Sequence, residues 1–329
     1  MSRVLKILAV LIVLALLLIA VTVKFVIPSQ LKKQITSQIE ENCKTCEFSS
    51  DGVELKLFPT RVIFDAVHFM TGDPKSTLIE AQVDRASVTL SVKMLLSQVV
   101  KIEQVVVEKP VVTVTEGDQK AKHSPGDETP SKWSFEIDRV ELRDGQFTYK
   151  REHLGKLGIL PISNINGEIG KLGSTPARRD ELVTGQVTAL LEQSGKIDLT
   201  LIALLFSKNN HVDLSIVLKG LNLTETNSYF GPDDGITLKG FITEGDSSVS
   251  IRGNLSQAKV DVDYEKLSLK VRKTADRSEL AAVFTNLFSG VKKAKDRSRS
   301  ATSKRKPEEP LVGFILRGMK EAALKVATD

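Results

Sequence analysis

From Val53 to Val271 the apolar residues recur mostly at every second position: Val53, Leu55 and Leu57; Ala86, Val88, Leu90 and Val92; Val105 and Val107; Val112 and Val114. The same period returns at Phe135 and Ile137, Val140 and Leu142, Phe147 and Tyr149, Val187 and Ala189, and Ile197 to Leu201. It continues at Val212 to Leu218, Val249 and Ile251, Val260 and Val262, and Leu267 to Val271. A period of two puts alternate side chains on opposite faces of a strand, so the pattern predicts roughly a dozen or more strands, each with an oily and a wet face. Residues 92–115 carry ten Val or Ile and two Thr in twenty-four positions, too many side chains branched at Cβ for a comfortable helix. No helical pattern long enough for a parallel crossover separates the strands, and an antiparallel meander is expected.

The period differs at both ends. Ile7 to Ile27 is a twenty-one-residue apolar run with Lys24 as its one charge, preceded by Arg3 and Lys6 and closed by Pro28. It is long enough to cross a bilayer and has no Ala-x-Ala cleavage site, so residues 1–28 read as an uncleaved transmembrane anchor, with the body exported. Leu31, Ile35 and Ile39 then predict a short amphipathic helix that Ser29 caps. It opens a β domain over 29–275, interrupted by a flexible polar loop at 116–132. Residues 276–329 read as two helices joined by a basic linker. The first carries Leu280, Val283, Phe284, Leu287, Phe288 and Val291; the second carries Phe314, Ile315, Met319, Ala322, Ala323 and Val326. Gly220, Gly240 and Gly253 each follow an apolar alternation and a basic residue, and read as strand ends where the chain can turn.

Hydrophobic residues make up 41% of the 329, and aromatics only 5%, which favours an aliphatic β surface over an aromatic-lined pocket. A net charge of +5 from 46 basic and 41 acidic residues is a mixed surface. The exception is the run from Lys292 to Lys306, eight basic residues with one acid, where Lys292, Lys293, Arg297 and Arg299 are candidates for anionic head groups at about 1 kcal/mol each. Its plainer reading is a solvated linker. Nucleic acid is disfavoured because aromatic interleaving is missing. His68, His123, His153 and His211 lie far apart in sequence, with no metal-ligand spacing, phosphate loop or nucleophile elbow, so neither an enzyme nor a cofactor or metal is expected. Cys43 and Cys46 form a CxxC whose context, a helix ending before a strand, argues against redox chemistry, and no further ligands complete a zinc site. In an oxidising compartment they could close a disulfide; the alternative is two free thiols.

The order of these features resembles a family. The anchor and short helix precede "FSSDGVELKLFPTRVIFDAVHF", "LIEAQVDRASVTLSVKMLLSQVVKIEQVVVEKPVVTVT" and "FEIDRVELRDGQFTYK". Phe58-Pro59, Leu95-Leu96, Pro110 and the Arg143-Asp144-Gly145 turn mark those segments. Over residues 1–150 the chain resembles the amino-terminal region of AsmA-like proteins of Gram-negative envelopes, and "VSIRGNLSQAKVDV" with the closing helix looks like their carboxyl-terminal part. It departs in its CxxC, where relatives often carry a glycine turn, and in its shortness.

The resemblance implies a mainly β protein: a long curled antiparallel sheet with an apolar concave face, between an N-terminal transmembrane helix and C-terminal helices. It also implies a role in phospholipid transport and outer-membrane biogenesis, with the anchor in the inner membrane and the body in the periplasm. Partners would then be phospholipid acyl chains, the inner membrane and other envelope proteins. Candidate groove residues are Val88, Leu90, Val105, Val107, Val112, Val114, Leu199, Leu201, Leu214 and Ile216. About fifteen strands at roughly 4.8 Å would make a groove on the order of 70 Å. The competing reading is an envelope scaffold whose sheet closes on a dry core.

Overall fold

A computed structural model describes residues 45–73, 76–91, 99–117, 134–153, 156–204, 211–232, 235–271 and 298–305. Gln30, Lys33, Ser37, Cys43, Phe314, Ile315, Arg317, Gly318 and Glu321 are also described. The alternating pattern folds as a single twelve-stranded sheet whose spatial order is the chain order. The strands are β1 (Glu47–Leu57), β2 (Thr60–Asp73), β3 (Thr77–Leu90), β4 (Val99–Glu116), β5 (Ser134–His153), β6 (Lys156–Gly173), β7 (Val183–Leu191), β8 (Gly195–Leu204), β9 (His211–Asn222), β10 (Ile236–Arg252), β11 (Leu255–Val271) and β12 (Ser298–Lys304). No ladder joins β12 to β1 among the described residues, so the sheet is open. Among the described residues, eleven spacings give a width of about 53 Å, against the roughly 70 Å expected from about fifteen strands.

Ten of the eleven pairings are antiparallel, but β4 and β5 are parallel. The expectation of a pure meander is thereby corrected. A parallel pair needs a connection of a dozen or more residues, not necessarily a helix, and the seventeen residues 117–133 meet that length. The polar loop expected at 116–132 otherwise lies outside the described residues, apart from Glu116 and Gly117.

A second correction concerns strand length. Val105/Val107 and Val112/Val114 belong to one eighteen-residue strand, and the expected Arg143-Asp144-Gly145 turn lies inside β5. In six strands the apolar phase slips by one residue beside a left-handed residue. Phe64 gives way to Val67 at Ala66 (φ 48°), Val107 to Pro110 at Lys109 (47°), and Leu142 to Gly145 at Asp144 (53°). Ile162 gives way to Ile165 at Asn164 (51°), Leu218 to Leu221 at Gly220 (70°), and Tyr264 to Leu267 at Lys266 (50°). An extra residue in the left-handed region shifts the alternation by one while the oily side chains stay on their face. Tyr149 and Leu160 lie on one side of this crease and Leu201 and Leu214 on the other; the clusters they join share Val262. At Gly240 (φ 115°) the crease admits only glycine, since a Cβ there would lie 2.7 Å from the Glu265 carbonyl oxygen. Of the three glycines expected at turns, Gly253 alone sits in one, between β10 and β11.

Two short helices interrupt the strands: α1 (Pro176–Arg179) between β6 and β7, and α2 (Asn227–Phe230) between β9 and β10. α2 packs on β6 as well as β10, beyond the end of the short β7–β8 hairpin. Tyr229 (1% exposed) and Phe230 (3%) enter a cluster with Leu221, Leu223, Ile236, Leu238, Ile242, Tyr264 and Leu267. Ser228 donates to the Ile159 carbonyl at 3.0 Å, and Asn227 clamps Leu238 by accepting from its N–H at 2.7 Å and donating to its carbonyl at 3.0 Å.

Glu192 faces Ser228, and burial pushes its carboxyl up to about 7, with the nearby Glu225 adding to the rise. A raised carboxyl binds its proton more tightly in the folded state. Its stabilising contribution is therefore complete below the ordinary value of 4.5 and is lost as pH rises through about 7. Thermal melts of Glu192→Gln should show no such decline between these pH values, and at pH 8 the variant should be the more stable by about 1–2 kcal/mol after allowance for solvent screening.

At the opposite end, β12 replaces part of the expected basic linker: Ser298–Lys304 is a strand paired with β11. A pair of C-terminal helices is not shown. The first, expected around 280–291, lies outside the described residues; of the second, Phe314, Ile315, Arg317, Gly318 and Glu321 are described and helical. The anchor at 7–27 also lies outside the described residues, among which no helix is long and apolar enough to cross a membrane. Of the amphipathic helix expected after Pro28, Gln30, Lys33 and Ser37 are described, all helical.

Candidate functional site

Partners in register share a face of the sheet, so the pairings trace rows of side chains across the strands. One row is apolar or glycine on all twelve: Leu55, Val62, Val88, Val105, Val140, Ile169, Gly185, Leu201, Leu214, Val249, Ala258 and Ala301. A second runs Val53, Phe64, Ala86, Val107, Leu142, Gly167, Val187, Leu199 and Ile216, then meets Ser247 on β10. Across the crease, Phe48, Phe69, Ala81, Val112, Phe147, Ile162 and Leu191 form a third, and Ile79, Val114, Tyr149 and Leu160 a fourth. The row between the first two is mostly polar: Glu54, Ile63, Ser87, Val106, Glu141, Glu168, Gln186, Thr200, Ser215, Ser248, Lys259 and Ser300.

Nine of the ten candidate groove residues thus fall into these rows: Val88, Val105, Leu201 and Leu214 in the first, Val107, Leu199 and Ile216 in the second, Val112 in the third and Val114 in the fourth. Leu90, beyond a bulge after Thr89, pairs with Ile102 and falls outside them.

The apolar face is covered unevenly. On β3, β4 and β5 the row members Val88, Val105, Val140, Ala86, Val107, Leu142, Val112, Phe147, Val114 and Tyr149 are all half-buried, whereas Val249, Ala258 and Ala301 on β10 to β12 are buried. The roof over the latter is the C-terminal helical segment. Phe314, 0% exposed, packs with Ala203, Val212, Val249, Ile251, Ala258, Val260 and Ala301, and Leu201, Leu214 and Ile315 pack against that cluster. Arg317 donates to the Lys304 carbonyl at 2.7 Å and pairs with Glu321 at 3.0 Å; Glu321 also takes the Ser303 hydroxyl. A Cβ on Gly318 would lie 2.8 Å from Ser256 Oγ, so this glycine allows the segment to approach β11 closely. Leu201 and Leu214 therefore face folded polypeptide, and Tyr149 and Leu160 of the fourth row pack against the Tyr229-Phe230 cluster, while the members of the first two rows on β3 to β5 join neither buried cluster.

The polar face carries the charge. Arg85 meets Asp65 at 2.9 Å, Lys219 meets Glu244 at 3.0 Å, and Arg139 meets Glu168. Arg252 grips Asp213 through two hydrogen bonds of 2.9 Å and holds its carboxyl well below the usual carboxylate range, while His211 Nε2 lies 2.9 Å from the same carboxylate. Exposed pairs of this kind are worth about 0.2–1 kcal/mol each and serve register and solubility more than stability. Two open clefts, about 440 and 360 Å³, lie among residues such as Thr200, Ser215, Ser248 and Lys259 in one and Arg139, Glu168 and Gln186 in the other. No cluster of His, Cys, Asp and Glu suited to a metal occurs among the described residues.

Cys43 and Cys46 form a disulfide immediately before β1, with Thr71 Oγ1 3.2 Å from Cys46 Sγ, which ties the entry of the chain to the end of β2. Of the head-group candidates, Lys292, Lys293 and Arg297 lie outside the described residues, and Arg299 stands on the edge strand β12 opposite Val260. Reading by period two missed the aromatic pair Tyr229-Phe230 as a roof element. The signal available was a Tyr-Phe pair followed by Gly231-Pro232, too short for any periodicity to show.

A comparison with curated proteins finds no match. The family model of the AsmA family matches residues 1–189, from the N-terminus to within β7, and so covers β3 to β5, where the first row is half-buried. With more than half of its length so matched, the chain belongs to the AsmA family.

Proposed function

We propose that this protein handles lipid in the cell envelope, carrying phospholipid acyl chains along the apolar rows of an open sheet, with its body held to the inner membrane on the periplasmic side. Membership of the AsmA family supports an envelope-associated, lipid-related role. The observation that carries the reading is the twelve-strand apolar row, half-buried on β3 to β5 and roofed by the Phe314 segment over β8 to β12. Aliphatic surface left to water costs about 25 cal/mol per Å², so a half-buried apolar row of this length favours an apolar partner. Hydrocarbon chains match it because the first row carries no polar side chain. The function needs no catalytic residue and no cofactor; it depends on the parity of side chains.

Photocrosslinking tests it. A crosslinker placed at Val107, Val114, Leu199 and Ile216 should give phospholipid adducts in cells, and one at the polar-face neighbours Val106, Thr113, Asp198 and Ser215 should give none. Adducts at both parities, or at neither, would refute an acyl-binding face. In the second case the sheet would act as an assembly scaffold.

A further inference from the structure

The tip of the β1–β2 hairpin is apolar and bare. Phe58 is 95% exposed and its neighbour Leu57 44%, while the next most exposed large hydrophobic among the described residues, Leu255, reaches 54%. The flanks are cationic: Lys56 is exposed and Arg61 follows at the start of β2. We propose that Leu57 and Phe58 insert into the surface of the same bilayer that holds the N-terminal anchor, forming a second foot of the protein on that membrane.

Three features select a bilayer over a protein partner. Two side chains offer far less area than the roughly 800 Å² per partner of a stable protein interface, but a tethered group needs little area, because the anchor already supplies the effective concentration. An aromatic and a leucine beside lysine and arginine suit the boundary between head groups and acyl chains, where the ring enters and the cations stay among the phosphates. Finally, the tip ends the strand at which the anchor segment arrives. β1 is the edge strand, the Cys43–Cys46 disulfide marks its start, and its eleven residues span about 35 Å to Leu57. Feet at both ends of β1 would lay that edge along the membrane, so that the apolar rows lead away from it and start at the lipid.

The proposal rests on the lipid-handling reading only in taking the anchor segment as membrane-bound. The full chain would be reconstituted in vesicles of phosphatidylethanolamine and phosphatidylglycerol, with Trp133→Phe removing the one native tryptophan. In that background Phe58→Trp should give blue-shifted emission, quenched about twofold by lipids brominated on their acyl chains. Leu255→Trp, at the same end of the sheet but on β11, should keep emission typical of water and remain unquenched. Absence of quenching at position 58 with lipid adducts at Val107 intact overturns the second foot alone; loss of both overturns the lipid reading beneath it. Equal quenching at 58 and 255 also overturns the proposal, since contact would then not be confined to the β1 edge.

Discussion

Replacing Phe314 with alanine should lower stability by about 3–5 kcal/mol, the usual cost of removing a fully buried aromatic, and should lengthen the surface open to lipid. The ring is 0% exposed in a cluster drawn from β8 to β12, and the polar contacts of Arg317 and Glu321 alone would hold the segment weakly. Denaturant melts of the detergent-solubilised chain give the first quantity. The second appears as phospholipid adducts from a crosslinker at Leu214, absent in the parent protein and present in Phe314→Ala. A loss below about 1 kcal/mol would mean that the cluster closes up without the ring and that the segment is not what roofs this end of the sheet.

Val107→Asp should reduce co-purified phospholipid at least about tenfold, a change of about 1.4 kcal/mol that is well within the cost of placing a carboxylate among acyl chains. Because Val107 is only half-buried by the protein itself, the same substitution should move the melting temperature little. Val106→Asp, one residue away in the polar row between Ser87 and Glu141, should leave the lipid in place. Native mass spectrometry of the two variants reads the difference, and an equal loss from both would contradict a face-specific site.

That nine of the ten candidate positions fall on apolar rows of the sheet is legible as alternation, since a period of two assigns faces strand by strand. What alternation could not show was that the faces of separate segments coincide. Val105/Val107 and Val112/Val114 differ in parity, and by period alone they belong to different strands or to opposite faces. Lys109, at φ 47°, reconciles them within β4. A three-residue gap inside a two-residue pattern, as at Phe64 to Val67 or Leu218 to Leu221, was the available mark of the crease. A non-glycine residue in that conformation costs about 1–2 kcal/mol, so the crease must be held by the ladders on either side.

The sequence by itself determined the β class, the oily and wet parity of each segment and the family resemblance, because all three depend on local periodicity and on the order of short stretches. The tertiary structure decided the parallel β4–β5 pair, the crease that keeps one face apolar, and the roof of Phe314 over β8 to β12. These depend on which residues meet across long separations in the chain, and such meetings follow from the geometry of closing loops and filling volume, which no local pattern encodes.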